Sequence, residues 1–194
     1  TRPFAARKTA ILGDAIFTVD GLCPAEECAA LVRLADEIGW EAAPITIGRG
    51  QFALAPDYRN NTRVIVDDAA RAAGLWRRLA PFVPERRGTL WRAVGLNERF
   101  RLYRYAPGQF FQWHRDGAFA RDADERSFLT VMIYLSDDIA GGTTDFDAAE
   151  GEFQVAPRTG TALVFDHGIR HQGAAVERGV KLVLRTDVMY RREG

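Results

Sequence analysis

Cysteine and histidine are both rare in this chain. Its only cysteines are Cys23 and Cys28, and its only histidines are His114, His167 and His171. Two cysteines cannot build the disulfide framework of a small secreted protein, and no CxxC or Cys/His cluster indicates zinc. We expect both cysteines to be structural thiols in a reducing cytoplasm.

The chain also lacks net charge and long apolar runs. Lys plus Arg and Asp plus Glu number 26 each, so no overall field favours nucleic acid, a membrane surface or an acidic partner. No apolar run reaches the roughly 18 residues of a membrane span, and residues 1–4 have no secretory pattern. We therefore expect a cytoplasmic protein that binds neither nucleic acid nor membrane.

The length of 194 residues predicts a single domain. Apolar spacing and turn residues predict an opening strand over 10–19, a helix from Pro24 to Gly39, a loop to about 62 and a helix over about 67–80. Short β-rich runs follow at 99–105, 109–115, 128–135, 152–155, 161–165 and 180–190. We expect helical support and a substrate-facing loop in 1–88, and a mainly β core in 89–194 shaped as a sandwich or barrel.

The sharpest chemical signal is His114-Arg115-Asp116. On a strand, residues two apart point to the same face, so His114 and Asp116 can reach one ion together. Two histidines and one carboxylate leave positions open for a co-substrate and O2 on a non-haem Fe(II) ion. An HxD sequence alone is a weak signal, because a histidine hydrogen-bonded to a nearby aspartate has the same pattern.

A third ligand would come from His167 or His171, and spacing does not decide between them. Four residues apart, the two could share a helix face and bind the zinc of a hydrolase. Gly168 and the β-rich surroundings argue against such a helix.

The segment His171 to Lys181, with Gly173 and Gly179 inside it, has the form His-x-Gly-(x)n-Gly-x-Lys. Together with Arg101–Gly108, Tyr134-Leu135 and Gly141–Phe146, it resembles the prolyl-4-hydroxylase-like branch of the 2-oxoglutarate/Fe(II) dioxygenases. The resemblance covers roughly residues 97–190. It implies a double-stranded β-helix (jelly roll), Fe(II) held by His114, Asp116 and His171, and 2-oxoglutarate and O2 as co-substrates. Ascorbate is a candidate reductant.

The resemblance also implies how 2-oxoglutarate is held. Parity puts Lys181 and Arg185 on one face of a strand, with leucines on the other. On pattern alone the leucines would point inward and the cations would face water. The family instead places the residue at the Lys181 position inward, against the distal carboxylate, which turns Arg185 inward as well. The pattern leaves open which of the two anchors the carboxylate. Tyr134 is expected to donate to the same group, and Tyr105 to border the pocket.

The substrate is the least determined feature. We expect Asn61, Arg63, Tyr103 and His167 to lie near it, although Asn61 and Arg63 could equally build a turn. The implied reaction is hydroxylation of a C–H bond, as in a prolyl residue, with release of succinate and CO2. The alternatives are a small-molecule (amino acid-type) hydroxylase and a non-catalytic jelly roll that binds a metal or carboxylate.

Overall fold

The computed structural model of the protein describes residues 6–47 and 51–193. Its helices are α1 Ala25–Ile38, α2 Ala69–Leu79 and a 3-10 turn Ala80–Phe82. Its strands are β1 Arg7–Leu12, β2 Ile16–Asp20, β3 Glu41–Ala42, β4 Ile45–Thr46, β5 Phe52–Ala53, β6 Thr62–Asp67, β7 Arg86–Arg87, β8 Trp91–Leu96, β9 Arg99–Tyr105, β10 Phe111–His114, β11 Glu125–Tyr134, β12 Ala140–Gly141, β13 Thr144–Ala148, β14 Gly151–Val155, β15 Ala162–Asp166, β16 Arg170–Gly173, β17 Val176–Arg178 and β18 Lys181–Arg192.

Both helices lie where their end signals predict them. Helix α1 ends at Gly39, whose φ of 97° is readily adopted by glycine. Helix α2 begins after Asp68, whose side chain accepts a hydrogen bond from the Arg71 amide. Each helix buries a stripe of small and apolar residues against one face of the main sheet, through Leu31 and Leu75 among others. No helix of the described residues is long and apolar enough to cross a membrane.

Two sheets face each other and form a double-stranded β-helix, as expected. The main sheet has the order β1-β2-β15-β11-β18-β9-β6-β3, and the smaller sheet has the order β10-β16-β13-β14. Phe146 of the smaller sheet packs against Phe165 and Val183 of the main sheet, and all three are fully buried. The core between the sheets is therefore separate from the core beneath the helices.

Two expectations about the first part of the chain are wrong. Residues 10–19 form the hairpin β1–β2 rather than one strand, because the chain turns after Gly13, whose φ is 53°. The expected loop before α2 contains β3, β4 and β5, and its last residue, Thr62, begins β6. Since β1, β2 and β6 belong to the main sheet, a boundary at residue 88 does not separate helical support from β core.

Both faces of β18 are covered at its start, which overturns the pattern-based reading of this strand. Leu184 is fully buried in the core beneath the helices, while Val183 is fully buried between the sheets. Lys181, on the same face as Val183, is 1 % exposed. The cations therefore face the interior of the β-helix, because the leucines are covered by helices instead.

Candidate metal centre

The pairing of β10 with β16 brings together three side chains that could hold a metal. His114 ends β10 directly opposite His171 on β16. Asp116 lies just past the end of β10, where its amide donates to the His167 carbonyl at 3.0 Å. Donor atoms of His114, Asp116 and His171 lie within 4.8 Å of one another, which fits a single ion.

The two histidines present their Nε2 atoms to that ion. His114 Nδ1 is 2.7 Å from the Gln112 carbonyl oxygen, and His171 Nδ1 is 3.0 Å from that of Ile169. Only an N–H can donate to a carbonyl, so each neutral ring keeps its Nε2 lone pair free. Those Nε2 atoms lie 3.8 and 3.7 Å from the Asp116 carboxylate. Burial lowers the pKa of His114 to about 4, with a further contribution from His171. The donor set therefore fits a divalent metal.

Aromatic rings fix the positions of both imidazoles. Phe111 stacks on His114 with a centroid separation of 3.6 Å. Phe165 meets His171 edge-on at 4.5 Å. The histidines are thus held before any ion arrives, which lowers the entropy cost of binding one.

Cationic and hydroxyl groups hold Asp116 as a carboxylate. Arg185 Nη2 lies 3.2 Å from Asp116 Oδ2, and the Thr130 hydroxyl donates to the same oxygen at 2.5 Å. Burial alone would favour the neutral acid, but Arg185 and the two histidines outweigh it and lower the pKa of Asp116. Arg185 therefore contacts a residue of the metal centre and is largely occupied there.

A chain of hydrogen bonds runs into Asp116 from behind. Because the Thr130 hydroxyl donates to Asp116, it must accept from His167 Nδ1, which lies 2.9 Å away. His167 Nε2 then accepts from the Ser127 hydroxyl at 2.8 Å, and Ser127 accepts from the Phe119 amide at 2.9 Å. His167 is thus a neutral donor that helps to orient the carboxylate. It does not line a described cavity, because its ring is enclosed by these hydroxyls.

A narrow inner cavity leads from the metal centre into the β-helix. Its wall consists of Tyr105, Phe111, His114, Asp116, Met132, Thr144, His171, Gln172, Gly173, Lys181 and Arg185. The Lys181 ammonium forms no hydrogen bond or ion pair to a described residue, and it lies 5.5 Å from the Tyr105 ring centroid. Burial lowers the pKa of Lys181 to about 7, and Asp145 opposes this only in part.

Tyr134 does not line the inner cavity but contacts a residue that does. Its hydroxyl is 2.8 Å from that of Thr144, and Thr144 lines the cavity. Sequence analysis did not select Thr144, although it lies in the quoted Gly-Gly-Thr-Thr-Asp-Phe turn. The sequence pattern that points to Thr144 is its short spacing from Gly141 and Gly142. The positive φ values of these glycines let the turn pass close to Lys181.

A wider outer cavity, of about 460 Å³, opens on the other side of the metal centre. Arg63 lines it, as expected, but Asn61 and Tyr103 do not. Asn61 is buried and accepts from Arg59 Nε at 2.7 Å, so it supports an arginine instead of facing the cavity. Tyr103 lies beneath the same guanidinium, 4.5 Å from ring centroid to Cζ. Arg59 and Arg101 could not be selected from the sequence, because the bridge from residue 59 to Phe111 and the register of β9 bring them to this wall.

Comparisons with known proteins show which family the chain resembles. Residues 100–186, which include all three side chains of the metal centre and Lys181, match the family model of the 2OG-Fe(II) oxygenase superfamily. Over this segment the chain resembles the superfamily. The match supports a 2-oxoglutarate-dependent dioxygenase, and the family implies Fe(II) and 2-oxoglutarate as cofactor and co-substrate.

Solved structures of several oxygenases share the fold. A prolyl-4-hydroxylase from Pseudomonas putida is similar with a TM-score of 0.64 and 21% identity, covering 93% of this chain and 94% of that one. A viral collagen prolyl hydroxylase from Paramecium Bursaria Chlorella virus-1, in a 2OG complex, has a TM-score of 0.62 and 20% identity over 91% and 96% of the two chains. A prolyl hydroxylase from Trichoplax adhaerens, in complex with a hypoxia inducible factor peptide, has a TM-score of 0.68 and 13% identity over 90% and 83%. No curated protein matches the chain by sequence. At these identities the likeness establishes the fold.

Proposed function

We propose that the chain is a 2OG-Fe(II) oxygenase that hydroxylates a C–H bond of a substrate bound in the outer cavity, with release of succinate and CO2. The observation that carries the proposal is the shared wall of the two cavities. Phe111, His114, Asp116 and Arg185 line both, so one ion at this wall faces the inner cavity on one side and the outer cavity on the other. When bound, Fe(II) with 2-oxoglutarate and O2 supplies the oxidising power that breaks an unactivated C–H bond.

His114, Asp116 and His171 hold the metal in this proposal. The support is their convergent donor atoms and their free Nε2 lone pairs. Three protein ligands on one side leave the other positions of an octahedral ion for the co-substrate and O2.

Lys181 anchors the distal carboxylate of 2-oxoglutarate. A buried cation without a partner is costly, and a bound carboxylate would relieve that cost. Arg185 is the weaker candidate, because its guanidinium already contacts Asp116 and Asp187, at 3.2 and 3.3 Å. Thr144 and Tyr105 line the same cavity as Lys181.

As the group that is hydroxylated, we propose a prolyl residue of a peptide. It is supported by the prolyl hydroxylases among the solved structures that share the fold. A small molecule of the amino acid type fits the outer cavity as well, since its volume lies in the range of small-ligand pockets. We also propose a cytoplasmic location and ascorbate as the reductant that keeps the metal as Fe(II).

Succinate formation by protein reconstituted with Fe(II), 2-oxoglutarate and O2 tests the reaction. We expect slow succinate release without substrate and faster release with a substrate, and His114→Ala should abolish both.

Under anaerobic conditions, Fe(II) plus 2-oxoglutarate should give a visible absorption band from bidentate chelation in the wild type. Lys181→Met should shift the appearance of that band to much higher 2-oxoglutarate concentrations. A wild-type protein that gives neither succinate nor the band would contradict the proposed function.

A further inference from the structure

The wall of the outer cavity carries more positive than negative charge. Five arginines line it, namely Arg59, Arg63, Arg101, Arg115 and Arg185, against two aspartates, Asp116 and Asp187. A divalent metal and dianionic 2-oxoglutarate would cancel each other, so the excess would persist in the loaded protein. A cavity of one sign attracts ligands of the opposite sign.

Three of these arginines have partners. Arg185 contacts Asp116 and Asp187. Arg63 pairs with Glu41 at 3.1 Å, and Arg115 Nε donates to the Gly168 carbonyl at 2.9 Å. Their positions are explained by contacts within the protein.

Arg59 lines the outer cavity and has a donor nitrogen without a partner among the described residues. The residue is 7 % exposed, its Nε donates to Asn61, and its Nη2 is buried without a hydrogen-bond partner among the described residues. Its guanidinium lies 4.5 Å from the Tyr103 ring centroid and 4.3 Å from that of Phe111. Two aromatic rings and one amide thus hold the guanidinium in place while one of its nitrogens stays unsatisfied.

Arg101, on β9, also lines the outer cavity and has a donor without a hydrogen-bond partner in the described ranges. Its Nη1 is buried without a hydrogen bond in the described part of the chain, and its one ion pair there, to Asp187 Oδ2, is long at 3.9 Å. Burial lowers the pKa of Arg101, and repulsion from Arg185 adds to the effect. The positive charge of these arginines also acts on Tyr103, which lies on β9 two residues after Arg101. Although burial opposes its ionisation, Arg59, Arg185 and Arg101 lower its pKa.

We propose that the substrate carries a carboxylate that Arg59 and Arg101 bind in the outer cavity. This inference rests on the proposed function and narrows its substrate class. A buried guanidinium nitrogen without a partner costs free energy, and a carboxylate accepts from the planar arginine fork in two parallel hydrogen bonds. Uncharged groups would leave the cationic excess unbalanced.

The position of Arg59 also limits which carbon reacts. Arg59 packs on Phe111, and Phe111 stacks on His114. A carboxylate bound to Arg59 would therefore be separated from His114 of the metal centre by the Phe111 ring alone. The hydroxylated carbon should lie within a few bonds of that carboxylate.

Matched acid and amide probes test the site by binding alone. The protein, loaded with Mn(II) and saturating 2-oxoglutarate under argon, is titrated calorimetrically with N-acetyl-L-proline and with N-acetyl-L-prolinamide. A second pair, acetyl-aspartyl-prolinamide and acetyl-asparaginyl-prolinamide, separates an acidic peptide side chain from a small free acid. We expect the acid of at least one pair to bind roughly tenfold or more tightly than its amide, the size of one charge-assisted hydrogen bond.

Variants assign that preference to the two arginines. Arg59→Met and Arg101→Met should each remove most of the acid preference while 2-oxoglutarate binding is retained. Arg104→Met is the matched control, because Arg104 belongs to the same strand as Arg101 but lies on its opposite face.

Equal binding of acid and amide in the wild type, or no binding of any probe, overturns the carboxylate site even if a variant fails to fold. An acid preference that survives in both variants overturns the assignment to Arg59 and Arg101. The outcome is independent of the hydroxylase test. A carboxylate preference without succinate formation would refute the proposed reaction and leave the anion site. Succinate formation without the preference would support the reaction and refute the anion site.

Discussion

At the scale of single residues, Lys181 is the side chain whose chemistry depends most on its surroundings. An exposed lysine is charged throughout the physiological range, but burial lowers the pKa of Lys181 to about 7. If it pairs with 2-oxoglutarate, it must be protonated in the complex. Co-substrate binding should therefore take up a proton above pH 7.

This coupling predicts the pH dependence of co-substrate binding. Below pH 7 the lysine is already charged, and the Kd for 2-oxoglutarate should stay flat. Above pH 7 the free lysine is neutral, so Kd should rise roughly tenfold per pH unit. Titration of the Mn(II)-loaded protein between pH 6.5 and 9 measures this. In Lys181→Arg, whose cation persists, the rise should vanish. A flat wild-type profile would show that Lys181 is not the anchor.

The hydrogen-bond chain through His167 and Thr130 gives a second prediction at this scale. Thr130→Val removes the hydroxyl that donates to Asp116 and leaves His167 without its acceptor. Loss of such a support around a metal ligand weakens metal affinity by about 10- to 100-fold. Competition with a chromophoric chelator measures the Kd for Fe(II). The exposed Thr9→Val is the control, and unchanged affinity in Thr130→Val would mean that the chain does not orient the carboxylate.

At the scale of elements, the turn between β17 and β18 sets the position of Lys181. Gly179 has a φ of 80°, and a Cβ there would collide with the Asp138 carbonyl oxygen. The turn is therefore pressed against the loop before β12, and Lys181 follows two residues later. This explains why a glycine two residues before the lysine belongs to the pattern that the sequence shows.

Gly179→Ala should accordingly affect both stability and the co-substrate site. We expect the free energy of unfolding to fall by about 1–3 kcal/mol, from the positive φ and the collision. Binding of 2-oxoglutarate should weaken by roughly tenfold, since Lys181 is displaced. Urea unfolding and calorimetric titration measure the two effects. Gly88→Ala has a positive φ and open space around it, so it controls for backbone strain alone. Equal effects of the two variants on 2-oxoglutarate binding would refute the role of the turn.

At the scale of the whole molecule, the proposed ion joins segments that are distant along the chain. His114 and Asp116 lie at one end of β10, and His171 comes from β16. An ion that binds only the folded arrangement should stabilise it, by about 2.7 kcal/mol at a hundredfold excess over its Kd. Urea unfolding with Mn(II) and with a chelator measures the difference. In His171→Ala the difference should nearly disappear; equal stabilisation of that variant would place the ion elsewhere.

Much of the fold followed from local signals. Helices α1 and α2 have end residues and apolar stripes that act over a few positions, so the sequence predicts them to within about two residues. The strand β6 was missed because its sequence, Thr-Arg-Val-Ile-Val-Asp, follows a loop rich in turn residues and forms a strand only by pairing with β9. Such pairing is a long-range property, and no local pattern encodes it.

Three features can be read from the sequence alone, namely the HxD spacing, the glycine and lysine pattern after His171, and the reaction class that these imply. Each depends on residue type and on short spacing along one segment. The resemblance also implied that Lys181 faces inward, and the tertiary structure supplies the reason, because helices cover the opposite face of β18. Only the tertiary structure decided that His167 lies behind Asp116, and that Arg59 and Arg101 reach one cavity. These relations arise from pairing between segments that are far apart in the chain. They cannot be predicted from local sequence, because the register of each strand depends on how the sheets pack together.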